Sequence, residues 1–475
     1  MKVLFATSEA LPFAASGGLA DVAGSLPHAL RVRLIGCRVV LPLYESVAQE
    51  LRENMTFLGS LSVPVAWRRQ YCGVFEAKHN GVIYYLLDNQ YYFKRPGLYG
   101  HYDDAERFAF LSRAVLEMLT LIDFKPDILH ANDWQTALIP VYYSLFYAQR
   151  EGYEGIKSIY TIHNIQYQGK YGMEILEDVF GIPQSARSIV EQDGCINLMK
   201  GAIEMADRVT TVSPAYAQEI LDPWFSHGLD TILRAREWKI SGILNGIDTE
   251  SYNPQTDTAI YANYSADDPS GKAENKRALQ ERLALDQRAD VPLIGMVTRL
   301  VSHKGLDLVK YVLEEMLSED IQFVILGSGD WVYENYFREM QGRHPDRFVY
   351  CTGFVPELAR KIYAGADIFL MPSKSEPCGL SQMVACRYGA IPVVRETGGL
   401  KDSIRDCGDG YGMGFTFKTY NANDMLYAIR RSLGAYANKN DWPVLIHRAM
   451  TADFSWGRSA NEYIKLYRAL IKENN

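Results

Sequence analysis

Short apolar runs alternate with longer amphipathic stretches along this chain, the pattern of βα units building a parallel sheet. The alternation occurs twice. Strands are predicted over residues 3–7, 37–41, 82–87, 128–130, 158–162 and 208–212, and again over 293–297, 323–326, 348–352, 368–371 and 391–394. Between the two sets, residues 246–289 are polar, irregular and rich in Asp, Asn and Pro. The fold class that follows is α/β, with two Rossmann-like doubly wound domains expected to face across a deep cleft, over residues 1–242 and 243–454. Residues 455–475 read as a final helix, because Tyr463, Leu466, Tyr467, Leu470 and Ile471 fall at helical spacing. It is expected to pack back toward the N-terminal domain.

Composition narrows the function classes. With 475 residues, 48% hydrophobic and 22% charged, the chain can bury two cores. Its net charge of −8 argues against a nucleic-acid partner or an anionic membrane. Seven cysteines carry no CxxC pair or other metal-ligand spacing, so reduced thiols are expected. No run approaches a membrane span, and the first strand follows Met1-Lys2 without a signal-type apolar region, so the expected location is cytoplasmic. The glycosylation sequons at Asn54 and Asn263 are then chance matches.

Ligands of doubly wound sheets sit beyond the carboxyl ends of the strands, and polar residues there are the candidates. Ser375-Glu376-Pro377-Cys378-Gly379-Leu380 places a carboxylate and a glycine turn between a strand and a helix, where backbone N–H groups favour an anion. Thr397-Gly398-Gly399-Leu400 repeats the arrangement after the next strand, and two adjacent turns point to a diphosphate. Arg299 and Lys304 follow the strand 293–297 and supply a guanidinium fork and a point charge. In the first domain, Ser16-Gly17-Gly18-Leu19-Ala20-Asp21 opens the first helix without forming a GxGxxG dinucleotide fingerprint. His130-Ala131-Asn132-Asp133 and Thr161-Ile162-His163-Asn164 end two neighbouring strands. No D-x-D, HxxxH or HExxH spacing calls for a metal.

Taken in order, these motifs resemble the bacterial and plant starch/glycogen synthase family over essentially the whole chain. Further carriers are Phe93-Lys94-Arg95-Pro96-Gly97-Leu98-Tyr99, Asn132-Asp133-Trp134, His163-Asn164-Ile165, Val212-Ser213-Pro214 and Leu244-Asn245-Gly246-Ile247-Asp248. The resemblance implies a GT-B type retaining glucosyltransferase. Its reaction would move glucose from ADP-glucose to the non-reducing end of an α-1,4-glucan, glycogen or a malto-oligosaccharide, with no cofactor and no metal. It puts Arg299 and Lys304 on the diphosphate, with Cys378, Gly379, Leu380, Thr397 and Gly398 in the donor site and Gly18 approaching from the first domain. Asp133, His163 and Asn245 would line the glucose pocket, Glu376 would contact the sugar near the reaction centre, and Phe354 would lie beside the adenine. Asp21, Tyr92 and Phe93 would contact the acceptor.

Two positions depart from the family pattern. Its glycine loop usually begins Lys-Thr-Gly-Gly or Lys-x-Gly-Gly, whereas this chain has Ala15-Ser16-Gly17-Gly18, so a cation is missing; Lys94, Arg95 and Lys170 are the possible substitutes. Gln135 stands where many members have His. Ala15 leaves two alternatives open beside the leading reading: a related retaining enzyme using UDP-glucose, and a weakly active glucan-binding homologue.

Overall fold

The computed structural model describes residues 1–353 and 355–472, forming two compact units. Unit 1 comprises residues 1–246 and the helix Trp456–Lys472; unit 2 comprises residues 247–455. The division falls at 246/247 rather than 242/243 because the intervening residues remain hydrogen-bonded to unit 1. The N–H of Ile243 donates to the carbonyl of Thr211 at 2.9 Å and that of Asn245 to Val212 at 3.3 Å, whereas Ile247 donates to Phe454 at 2.8 Å.

The strands of unit 1 are β1 (Lys2–Ala6), β2 (Gly36–Pro42), β3 (Thr56–Val65), β4 (Arg68–His79), β5 (Val82–Asp88), β6 (Ile128–Asn132) and β7 (Lys157–Ile162). Three short strands follow, β8 (Lys170–Gly172), β9 (Glu191–Gln192) and β10 (Cys195–Asn197), then β11 (Arg208–Thr211) and β12 (Ile240–Gly242). Nine of them form one sheet in the order β12-β11-β7-β6-β1-β2-β5-β4-β3. It is parallel except where β4 pairs with β5 and β3 with β4. Val3, Leu4 and Phe5 are fully buried, as consecutive residues must be when helices cover both faces of a parallel sheet. The final helix buries Trp456, Tyr463, Ile464, Tyr467 and Leu470 and packs on the helix Gly18–Val32. The Tyr467 hydroxyl lies 2.8 Å from Nδ1 of His130.

Unit 2 contains β13 (Leu293–Val297), β14 (Gln322–Gly327), β15 (Phe348–Thr352), β16 (Ile368–Met371), β17 (Ile391–Arg395) and β18 (Phe415–Phe417), all parallel, in the order β15-β14-β13-β16-β17-β18. Strand order reverses between β13 and β16 here, and between β1 and β6 in unit 1. Each reversal opens a crevice at the carboxyl ends of its two central strands, the position where such folds take ligands.

Two features differ from the sequence expectation. The β3-β4 hairpin is largely half-exposed or exposed, with buried positions only at Val63, Val65, residues 72–74 and Ala77, so neither strand presents a long apolar run. Within 246–289 lies the helix Ser270–Arg282, whose buried face includes Lys272, Asn275 and Lys276. Among the described residues, no helix is long and apolar enough to cross a membrane.

Candidate active site

In unit 2 the candidates gather at the reversal point. Gly305 adopts φ +76°, and a Cβ there would stand 2.1 Å from the carbonyl oxygen of Pro372. Only glycine allows so close an approach of the loops after β13 and β16. Lys304 is thereby brought to Glu376, its Nζ donating to Oε2 at 2.6 Å, while the Ser373 hydroxyl donates to the same oxygen at 3.0 Å. Glu376 is 7% exposed, and its second oxygen remains available as an acceptor. Arg299 is exposed and makes no ion pair among the described residues. His303, which the sequence reading passed over, lies among these groups. Burial lowers its pKa, the Lys304 and Arg299 charges lower it further, and Glu376 opposes them. Its place just before Lys304 was the available signal.

The two glycine turns form one body. The N–H of Gly399 donates to the carbonyls of Glu376 and Pro377 at 3.1 and 3.2 Å, and a Cβ on Gly399 would stand 2.0 Å from the carbonyl oxygen of Cys378. Thr397 is fully buried, and its N–H donates to Arg395 at 2.9 Å. Thr397 and Gly398, expected in the donor site, are buried beneath the 375–380 turn and hold it in place. Cys378 is buried as well, whereas Gly379 and Leu380 are partly open. Gln382 fixes that turn by donating to the carbonyls of Cys378 and Gly379 at 3.1 and 2.9 Å. Phe354 lies outside the described residues.

Unit 1 assembles carboxylates and imidazoles around the ends of β1, β6 and β7. Asp133 sits at φ +56°, a conformation costly for a residue with a side chain and frequent at functional sites. Its Oδ1 accepts from the N–H groups of His163 at 2.8 Å and Asn164 at 3.3 Å. The amide of Asn132 donates to the carbonyls of Ala6 and His130 at 3.0 and 3.2 Å, which turns its Oδ1 toward Nε2 of His163 at 2.9 Å. That nitrogen therefore carries the proton, and Nδ1 of His163 is an acceptor. Oδ1 of Asn245, itself 6% exposed, is buried without a hydrogen-bond partner among the described residues. Gly17 and Gly18 are exposed, and a Cβ on either would meet nothing within 4 Å. The packing of the fold thus does not require glycine at either position.

Glu9 was not singled out from the sequence. Its carboxylate accepts from the N–H of Ser16, burial raises its pKa, and Asp21 and Asp133 lie close enough to interact with it electrostatically. Asp21 is half-buried in the first turn of Gly18–Val32. Tyr92 and Phe93, expected on the acceptor, are fully buried. Tyr92 donates to Glu106, and both rings pack on Phe110; the exposed ring beside them is Tyr91. His130 is structural, held between Tyr467 and Thr161. Arg95 cannot replace the missing loop cation, since both its terminal nitrogens bind Asp103, at 2.6 and 2.8 Å. Lys94 and Lys170 are exposed.

Burial raises Asp133 to about 7 and lowers His130 and His163 to about 3. Between pH 3.8 and 7 the folded Asp133 holds a proton that the unfolded chain has released, so this residue withdraws stability as pH rises through that window. Asp133→Asn, which cannot ionise, should gain on the wild type by ~1.4 kcal/mol per pH unit over the window and no further above it. Denaturant midpoints of the two proteins from pH 4 to 8 check this; a constant difference would refute the buried protonated carboxyl. The two histidines act oppositely in both proteins, withdrawing stability as pH falls below 6.5.

Two doubly wound domains, one with a cation–carboxylate pair at its reversal point and the other with carboxylate and imidazole acceptors, define a GT-B glycosyltransferase. Residues 2–235 match the family described as "Starch synthase catalytic domain" and residues 280–441 match "Glycosyl transferases group 1". Glycogen synthases of Geobacillus thermodenitrificans and Geobacillus stearothermophilus are 52% and 51% identical over 477 residues, covering 100% of this chain and 98% of each relative. The catalytic domain of starch synthase IV from Arabidopsis thaliana, a structure bound to ADP and acarbose, superposes with a TM-score of 0.91 at 35% identity over 99% of both chains. A sucrose-phosphate synthase from Thermosynechococcus elongatus shares the fold, with a TM-score of 0.61 at 16% identity over 99% of both chains. The chain belongs to the starch/glycogen synthase family.

Proposed function

We propose that this enzyme transfers glucose from ADP-glucose to the non-reducing end of an α-1,4-glucan with retention of configuration and without a metal ion. The observation that carries the donor assignment is the Lys304–Glu376 pair at 2.6 Å, with exposed Arg299 on the same loop after β13. These are the groups a departing diphosphate and its sugar require: two cations to take the developing charge and one carboxylate to hold hydroxyls. The ADP and acarbose in the Arabidopsis structure support a nucleotide diphosphate and a glucan-like ligand here. Unit 1 carries hydroxyl acceptors of its own. Nδ1 of His163 and the unpartnered oxygen of Asn245 accept from sugar hydroxyls, since a buried orphan acceptor is costly until a ligand donor meets it. With its pKa near 3, His163 is neutral at physiological pH, so it orients the sugar and does not supply a proton.

Retention follows from departure and attack on one face of the sugar. The diphosphate leaves toward Lys304 and Arg299, the acceptor hydroxyl enters on the same side, and its proton passes to the departing phosphate oxygen. The protein's contribution is positioning and leaving-group stabilisation.

The test is incorporation of labelled glucose into glycogen from ADP-glucose and from UDP-glucose, with and without EDTA, by the wild type and Ala15→Lys. Ala15 is exposed in the loop before Gly17, and restoring a charge-assisted contact to the diphosphate should raise donor kcat/KM about tenfold or more. Transfer from ADP-glucose should survive EDTA. Transfer from UDP-glucose alone, or loss of activity in the chelator, would overturn the reading.

A further inference from the structure

Lys272, on the helix Ser270–Arg282 of unit 2, is 6% exposed. Among the described residues its Nζ meets carbonyls and no carboxylate: it donates to Ala364 and Ala366 at 3.0 and 2.7 Å and to Tyr388 at 3.1 Å. The first two carbonyls lie at the end of the helix Pro356–Gly365 and the third at the end of the helix Ser381–Arg387. Carbonyls there lack partners within their own helix, and each helix end carries about half a negative charge, so two ends together match one ammonium. The Tyr264 hydroxyl also donates to Tyr388, at 2.7 Å. The helix Ser381–Arg387 begins directly after the 375–380 turn, which its Gln382 holds, and it spans only about 10 Å. Tyr363, on the other helix, hydrogen-bonds to Ser381 at its start. The junction at Lys272 therefore bears on the turn through both helices.

We propose that Lys272 is a positioning residue for donor binding: through the helix Ser381–Arg387 it sets the turn that receives the diphosphate, and its charge adds to the attraction there; the inference rests on the ADP-glucose reading of the site. Burial lowers its pKa to about 7. Asp367 and Lys276, the charges that act on it, pair with each other at 2.7 Å. Arg360 pairs with Asp257 at 2.9 Å beside Tyr388, Lys361 pairs with Glu357, and Arg387 donates to the carbonyls of Tyr252 and Met450. Burial holds the Tyr264 and Tyr388 hydroxyls above their ordinary range. A neutral amine has two N–H groups for three carbonyls and no charge for the helix ends. Donor and proton therefore bind together: a bound diphosphate favours the ammonium, and loss of the proton above pH 7 loosens the donor.

Calorimetric titration of ADP-glucose without acceptor tests this in Asp133→Asn, which removes the other group raised or lowered to near 7; His303, lowered from 6.5, loses its proton before the range begins. Between pH 6.5 and 8.5 the dissociation constant should rise about fivefold. At pH 7.5 binding should take up a fraction of a proton, read from the difference in heat between Bicine and Tris buffers. Adding Lys272→Met, which carries no charge, or Lys272→Arg, whose charge persists, should abolish both the rise and the uptake, the first with weak and the second with tight binding throughout. A dissociation constant independent of pH, or no proton uptake, with Lys272 in place would overturn the inference even if neither variant folds; so would uptake that survives Lys272→Met. Failure of the ADP-glucose reading itself would show separately, as absence of binding heat from the wild type at every pH.

Discussion

Glu376→Gln should lower glucosyl transfer about 100- to 1,000-fold while ADP affinity stays within about threefold of wild type. The substitution preserves the shape of a side chain that is 7% exposed and removes only its charge. That charge has two duties in the proposed reaction. It faces the positive charge that develops on the sugar as the diphosphate departs, and it holds Lys304 at 2.6 Å between the loops after β13 and β16. The first duty exists only as the bond breaks, so its loss falls on kcat; ADP, which lacks the sugar, does not sense it. Rates measured at saturating donor, together with calorimetric titration of ADP, separate the two. A variant that loses ADP affinity in proportion to rate would place Glu376 on the phosphate side of the site.

Lys304→Ala should weaken ADP and ADP-glucose together, by about 10- to 100-fold. The ammonium belongs to the leaving group, which substrate and product share, so its deletion cannot spare ADP. A second effect follows from burial: Glu376 is left in the turn with the Ser373 hydroxyl but without its cation, and an uncompensated, poorly solvated charge is costly. The combined Lys304→Ala/Glu376→Gln variant should therefore be less impaired than the sum of the single effects predicts, because the partner whose charge becomes costly is already neutral. Full additivity in transfer rate would show that the two side chains work independently.

The parallel strands were legible because burial on both faces makes them short continuous apolar runs, and β13, β15 and β16 fall on their expected residues. The β3-β4 hairpin was not, since one face of an edge hairpin is solvated and Pro64 is tolerated on its outer strand. The helix Ser270–Arg282 escaped for a different reason. Lys272 enters the interior by donating to the carbonyls of Ala364, Ala366 and Tyr388 at 3.0, 2.7 and 3.1 Å, and Lys276 by pairing with Asp367 at 2.7 Å. A helix docked through ammonium groups carries little apolar periodicity. At the site, strand-end placement was enough to group Arg299, Lys304 and Glu376 in one unit and Asp133 and His163 in the other, but sequence order could not separate open residues from those that packing covers. Thr397, Gly398, Tyr92 and Phe93 belong to the second group because packing between loops, invisible in a linear motif, buries them. Glu9 escaped because a lone acidic residue three positions past β1 carries no motif.

The helix Trp456–Lys472 belongs to the unit whose other residues are made first. During synthesis, unit 1 must wait through translation of all of unit 2 before Tyr467 reaches His130 and the face of Gly18–Val32 is covered. A chain released early, anywhere after residue 246, carries a first half whose core is still open. The uncovered face of Gly18–Val32 is then an apolar surface open to misassociation until the helix Trp456–Lys472 docks on it.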